Sequence, residues 1–563
     1  MKTLIKGAMV VNVFTDSLER WDVLISDGMI VGTGDYREAE ADLVVDAEGK
    51  ILTPGFIDGH IHIESTMLTP GQFADVCLPH GTTTVIADPH EIANVAGTAG
   101  IEFMLQSSQG LPVDIYYVLP SCVPATPLDE TGATLTAADL APIYERPGVI
   151  GLGEMMNYPG VLDRDPEVMA KLDYARASGK LVNGHAPLVT GRDLDRYLSA
   201  GISDDHECSE PEEAKERIRK GQRVMIRQGT AARNLEGLLS LFDEPYNRRC
   251  LLVTDDRHPA DLLYDGHIDT IIRQVGLLGK SPLTAIRMAT IQAAEHFGLR
   301  WLGAVAPGYQ ADLVLVEDLE SMKVSAVYKR GQLAAEHGKA LPFTLPQAEE
   351  KILSSVYHSF HLDELTCQDF YIPPQAAPAR VISVIPDQLL TQELHLSLDF
   401  SVSNGISVQD DILKLAVIER HKNTGHRGVG YIKGIGLKKG AIASSVAHDA
   451  HNLIVIGTNE ADMALAANRI IQLGGGNAVV AGGKVLAEMA LPVGGLMTDL
   501  SAREAALENR AVREAVRQLG APETIEPFMT MAFISLPVIP ALKMTTRGLA
   551  DVTRQQIVPL FLE

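Results

Sequence analysis

Residues 55–66 read GFIDGHIHIEST, which places two histidines one residue apart at the end of an apolar run. On an extended strand His60 and His62, at i and i+2, point to the same face. Two imidazoles facing one way are the start of a divalent metal site. An isolated pair of this kind is as often an accident of packing as a pair of ligands, so the rest of the chain decides its meaning. Seven more short apolar, β-branched runs follow: TTTVIADPHE, VDIYYVLPSC, VIGLGEMMN, LVNGHAP, ISDDHE, RVMIRQG and CLLVTDD. Stretches of helical period lie between them, such as TPGQFADVCLPH, DPEVMAKLDYARASG, TGRDLDRYLSA and EPEEAKERIRKG. Eight strand–helix repeats across residues 55–300 predict an α/β fold, a (β/α)8 TIM barrel.

On either side of the barrel the texture changes. Residues 1–54 read as short strands, with Asp27-Gly28 between alternating apolar residues as a hairpin signal. LTAIRMATIQAAEHFG reads as a helix, and strand texture returns over 301–340. The two chain regions, 1–54 and 301–340, are expected to form a small composite β-sandwich, and 341–563 a C-terminal α+β domain. A chain of 563 residues is too long for one core, in keeping with this division. The formal charge of −24 argues against nucleic acid or an anionic membrane as partner. No apolar run reaches the roughly 20 residues of a bilayer span, and Asp16, Glu19 and Arg20 interrupt the N-terminus too soon for a signal sequence. Five scattered cysteines without a CxxC predict no disulfide framework and a reducing cytoplasm.

TIM barrels build their sites at the carboxyl ends of the strands. Read in that register, strand one offers His60 and His62, and strand two offers Asp88, His90 and Glu91. Strand three ends in Ser121, strand four in Glu154, strand five in His185 and strand six in His206. Strand seven ends in Arg227 and Gln228, and strand eight in Asp255 and Asp256. Metal-ligating residue types recurring in register at so many strand ends are poorly explained by chance.

This arrangement resembles the amidohydrolase superfamily, with its HxH after strand one, a bridging carboxylate or modified lysine after strand four, and histidines after strands five and six. An aspartate after strand eight completes that pattern. The strings DPHEIANV, GEMMNYPG, NGHAP, DDHE and TDDRHP, with GLKKGAIASSVAHDAHNLIVIG and GGGNAVV further on, resemble within it the bacterial-type adenine deaminase family over nearly the whole chain. The resemblance implies a binuclear centre, with manganese or iron favoured and zinc compatible. His60, His62 and Asp255 would hold one ion, His185 and His206 the other, and Glu154 would bridge them. It also implies adenine as small-molecule substrate, attacked at C6 by an activated hydroxide to give hypoxanthine and ammonia in purine salvage. Asp255 is then expected to take the hydroxide proton and pass it to the leaving ammonia. The glutamate that adenosine-type enzymes carry in an HxxE-like arrangement is missing, because Ala186, Pro187 and Leu188 follow His185. The proton donor to the ring nitrogen therefore stays open among Glu154, Asp256, His90 and Glu91. By analogy with other barrels carrying added domains, a homo-oligomer is expected.

Structural readings compete at several positions. His90 and Glu91 could cap the segment after strand two or support the ligands. Strand parity turns Asp256 and Glu207 away from the face used by Asp255 and His206, and Asp204 and Asp205 read as loop or supporting groups. Arg227, Gln228 and Ser121 could bind the purine edge or be structural. His448 and His451 of AHDAHN are expected to serve structure or subunit contact, with closure of this loop over the barrel mouth as the alternative, and EPEEAKERIRKG reads as a solvated helix. The functional alternative is another cyclic amidase or a deacetylase of the same superfamily. Many cyclic amidases use a lysine where Glu154 stands. A catalytically dead scaffold is argued against by the filled ligand positions.

Overall fold

The computed structural model describes residues 2–230, 232–385 and 389–562. Eight parallel strands follow one another through its middle: Phe56–Ile61, Thr82–Ala87, Asp114–Leu119, Val149–Met155, Leu181–Gly184, Asp204–Asp205, Arg223–Arg227 and Cys250–Val253. Helices alternate with them, among them Pro70–Cys77, Pro166–Ala177, Gly191–Ser199 and Pro211–Arg219. The first two strands are buried at every residue, as expected for parallel strands covered on both faces. Ile57, Ile86, Val118, Met225 and Leu251, from five different strands, meet in one cluster with Phe297.

The first five strands hydrogen-bond in sequence order, and so do the last three. Two seams close the ring. At the first, the Asp255 N–H donates to His60 O at 3.0 Å, and the Asp58 carboxylate takes the Thr254 N–H at 3.1 Å together with its hydroxyl. Asp58 also lies 3.1 Å from His267 Nε2. At the second seam, Ser203 N–H donates to Val182 O at 3.0 Å, while the Asp204 side chain accepts from Gly184 N at 3.1 Å and Asn183 Nδ2 at 2.7 Å. A side chain thus replaces part of a strand ladder. Position 184 must be glycine, because a Cβ there would sit 2.2 Å from Asp204 O.

The stretch expected to be one helix after the barrel is two, Pro282–Met288 and Ile291–His296. The break has a use: Ala289 O accepts the Ile57 N–H of the first barrel strand at 2.7 Å, and Thr290 Oγ1 turns back onto Ile286 O at 2.6 Å. Strands from both sides of the barrel join in one nine-stranded sheet, in which Leu313–Val316 pairs with Ile51–Pro54. Asp27 and Gly28 both have positive φ, 51° and 80°, the two-residue turn that suits a twisted hairpin. Beyond residue 378 lies an eight-stranded sheet with helix Glu460–Leu473 against it, then a three-stranded sheet that begins at Leu542. Arg420, fully buried in this region, donates to the carbonyls of His451 at 2.6 Å, Gly494 at 2.8 Å and Ser359 at 3.1 Å. Contacts such as Thr498 N to Met67 O, 2.8 Å, and Asn452 Nδ2 to Glu130 O, 2.7 Å, dock the region on the barrel mouth. Among the described residues no helix is long and apolar enough to cross a membrane.

Because Asp58 accepts from the Thr254 N–H and hydroxyl and from the His60 N–H, 3.3 Å away, at the first seam, Asp58→Ala leaves these three groups unpaired. The expected loss is about 3 kcal/mol of stability, read as a lowered midpoint in denaturant unfolding followed by circular dichroism. A change under about 0.5 kcal/mol would show that the seam does not depend on this carboxylate.

Candidate metal-centred active site

The carboxyl ends of the barrel strands converge around Glu154, which is 3% exposed. Its Oε1 lies 3.2 Å from His62 Nε2, 3.6 Å from His90 Nδ1 and 3.8 Å from His60 Nε2. Its Oε2 lies 2.5 Å from His185 Nδ1 and 3.3 Å from His206 Nε2. Asp255 Oδ1 stands 3.2 Å from His62 Nε2 and 3.6 Å from His60 Nε2. All six residues singled out as ligands are therefore brought together.

The local backbone explains how. Asp88, at the end of strand two, accepts the Glu154 N–H on Oδ2 at 2.9 Å, and its backbone carbonyl lies 3.0 Å from His62 Nδ1. That contact fixes the His62 tautomer and leaves Nε2 to face the site. Residue 153 has to be glycine, since a Cβ would lie 2.0 Å from Asp88 Oδ2. The Tyr197 hydroxyl takes the His185 N–H and donates to Met155 O, both at 3.0 Å, tying the ends of strands four and five together. Asp255 adopts φ +61°, a left-handed conformation that costs a non-glycine residue free energy and is concentrated at functional sites.

The electrostatics suit a cation. Burial, reinforced by the neighbouring His206 and His62, holds His60 well below the ordinary histidine range, so its ring keeps a lone pair. His60 Nε2, His90 Nδ1 and Asp88 Oδ1 are buried with no hydrogen-bond partner among the described residues. Burial would raise Glu154, but the His185 and His206 charges and hydrogen bonds outweigh it and keep the carboxylate ionised. Asp255 is likewise held well below its usual range against the effect of burial, by His62 and Arg227. Ligand-type atoms lie within 4.8 Å of one another in His60, His62 and Asp255, in His60, Glu154 and His206, and in His185, His206 and Glu207. Unpartnered imidazole nitrogens beside ionised carboxylates are a donor set that fits divalent transition metals.

Parity fails at two positions, and the reason is local. Strand six is only two residues long, Asp204–Asp205, so alternation no longer governs Glu207. Its Oε1 lies 3.4 Å from His206 Nε2 and 3.7 Å from His185 Nδ1, and it pairs with Arg227. At strand eight the left-handed Asp255 breaks alternation, so Asp256 also lines the cavity, with the Ser65 hydroxyl on its Oδ1 at 2.6 Å. Arg227 lines it too, donating to Asp255 Oδ2 at 2.8 Å. Ser121 instead donates to Glu154 O, and its own carbonyl takes Lys171 Nζ at 2.8 Å, so it shapes strand four from behind. Gln228 turns to Gln274 Oε1, 3.0 Å away. Asp204 pairs with His296, and Asp205 with the fully buried Arg217, so the helix Pro211–Arg219 is not merely a solvated one.

His448 and Asp449 also line the cavity, and His448 and His451 grip Glu91 from above the barrel. Sequence reasoning favoured a structural part for these histidines and left closure over the barrel mouth as the alternative, and the structure places His448 at the cavity. The signal that could have found them is the HxxH spacing beside a second carboxylate cluster, and nothing local says which element it meets.

Comparison with known proteins gives concordant results. Residues 51–243 and 247–334 match the amidohydrolase family, and residues 388–556 match the adenine deaminase C-terminal domain. The chain is 46% identical over 561 residues to a protein named adenine deaminase from Desulfatibacillum aliphaticivorans, covering 99% of this chain and 97% of that one. It is 47% identical over 562 residues to adenine deaminase 2 of Carboxydothermus hydrogenoformans, with the same coverage. Similarity to the adenine deaminase of Geobacillus kaustophilus is 44% over 561 residues, 99% of this chain and 96% of that one.

The segment matching the C-terminal domain also supplies the apolar side of the cavity, through Leu389, Phe533, Leu536 and Ile539. Lys543, fully buried, holds two of these pieces by donating to Leu389 O at 2.9 Å and Phe533 O at 3.0 Å. Burial pulls its ammonium down to about 7. Since the folded value lies below the unfolded one, the stabilising contribution is complete above the ordinary lysine value and is lost as pH falls toward 7. Relative to Lys543→Met, the wild type is expected to gain about 1.4 kcal/mol per pH unit between pH 7 and 10. Denaturant unfolding of both proteins across that range checks this, and a constant gap would refute it.

Proposed function

The chain belongs to the adenine deaminase family of the amidohydrolases, and from that premise we propose that it hydrolyses adenine to hypoxanthine and ammonia in purine salvage, at a binuclear divalent centre of manganese or iron. One observation carries this reading. The two oxygens of Glu154 divide between His62 on one side and His185 with His206 on the other, which is how a bridging carboxylate is arranged.

In this reading His60, His62 and Asp255 would hold one ion and His185 and His206 the other, with Glu154 placed to serve both. When bound, such a pair acidifies a water molecule and supplies a nucleophile near neutral pH. The chain's own groups do the rest. Asp255, kept ionised by His62 and Arg227, accepts a proton from the attacking water and returns it to the departing amine. Arg227 holds Asp255 and Glu207 in place. Phe533, Leu536 and Ile539 present an apolar wall to a flat heterocycle and exclude bulk water from it. The cyclic-amidase alternative is disfavoured by Glu154 in the place of a lysine and by the C-terminal region, which provides part of the cavity wall.

Ammonia release from manganese-loaded protein given adenine, with adenosine, guanine and dihydroorotate in parallel, tests the substrate. Release from adenine alone is expected, and silence on adenine with metal bound would discard it. His62→Ala is expected to leave a folded protein with reduced metal content, measured by mass spectrometry of the elements, and activity down at least about 100-fold. Full metal occupancy in that variant would refute the ligand assignment.

A further inference from the structure

Glu91, at the start of helix His90–Ala96, is 2% exposed and has both carboxylate oxygens engaged from the C-terminal region. Oε1 takes the His448 Nδ1 contact and Oε2 the His451 Nε2 contact, across 357 and 360 residues of chain. These three side chains cluster tightly enough to suggest a second metal site, but the tautomer argues otherwise. His451 Nδ1 accepts the Ala447 N–H at 3.2 Å, so this nitrogen carries no proton. The ring proton of the neutral imidazole is then on Nε2, donated to Glu91. The cluster is a hydrogen-bonded clamp: the His451 imidazole orients Glu91, and Glu91 orients His448.

The clamp leaves His448 with a particular freedom. Its ring lines the same cavity as His62 and Glu154, and Phe533 packs against it at a tilt of 33° with ring centroids 4.7 Å apart. With Nδ1 spent on Glu91, Nε2 has no hydrogen-bond partner among the described residues. The other open candidates are placed differently. Glu154 and Glu91 have both oxygens occupied by imidazoles, Asp256 accepts from Ser65, and His90 stands among His62 and Glu154 with its Nδ1 turned to them. An imidazole held through one nitrogen by a carboxylate is suited to give and take a proton at the other.

We propose that His448, reaching over the barrel mouth from the C-terminal region, is the catalytic acid that protonates the purine ring nitrogen beside C6, with Glu91 and His451 as its positioning residues. The inference rests on the deaminase reading. As the water oxygen bonds to C6, the C6–N π pair moves onto that nitrogen, which takes the proton from His448 Nε2. The water's proton goes to Asp255. In the second half Asp255 protonates the amino group, the C6–N bond breaks and ammonia leaves. The C6 hydroxyl proton returns to His448 as the carbonyl forms. The sum is adenine and water to hypoxanthine and ammonia, with both residues restored.

The test compares metal-loaded wild type with His448→Gln and Glu91→Gln on adenine. His448→Gln is expected to keep its metal content and KM within about threefold while kcat falls about 100-fold or more. Added imidazole is expected to restore kcat in His448→Gly, a response that a purely structural residue would not give. If His448 variants fail to fold, Glu91→Gln still decides: kcat down about tenfold with metal retained supports the clamp. Wild-type kcat in Glu91→Gln or His448→Gln overturns the inference and leaves the deaminase reading intact. A metal-loaded wild type inert on adenine overturns both.

Discussion

One buried carboxylate organises this molecule. Glu154 is placed where its charge would be costly to bury unpaired, yet four strand ends deliver imidazoles around it. The surroundings follow from that requirement. Asp88 pins its backbone, glycine is forced at 153 by the closeness of Asp88, and Tyr197 fixes the His185 backbone beside it. His60 Nε2 and His90 Nδ1 still find no hydrogen-bond partner among the described residues. A charge-rich, partly unsatisfied interior is what a site shaped for a multivalent cation looks like before the cation is considered.

The barrel places these groups by two different kinds of closure. Where strands one and eight meet, a backbone bond from Asp255 to His60 joins two of the proposed ligands directly, with Asp58 bracing the residues next to them. Where strands five and six meet, strand six is too short for a full ladder, and Asp204 supplies side-chain acceptors in its place. A short sixth strand also frees Glu207 to turn toward the histidines.

Much of this was legible in the sequence because it is written in local periodicity. Eight β-branched runs with capped helical stretches between them specify the strands, and the in-register histidines and acids specify the centre. Besides Glu207, three features were not legible, each because it depends on something local spacing does not encode. A left-handed backbone at Asp255 cancels the strand alternation that had turned Asp256 away. The need of Ile57 for an acceptor breaks the helix expected after the barrel. The fate of His448 and His451 is set by Glu91, more than 350 residues earlier, and no local rule links the two. The C-terminal region therefore builds part of the cavity, with apolar residues on one side and the Glu91 clamp on another.

The most direct test is anomalous X-ray scattering from crystals of the manganese-loaded protein. The account predicts two peaks about 3.5–4 Å apart, one beside each oxygen of Glu154, with His60 and His62 at one and His185 and His206 at the other. A single peak, or two peaks with Glu154 touching neither or only one, would contradict it.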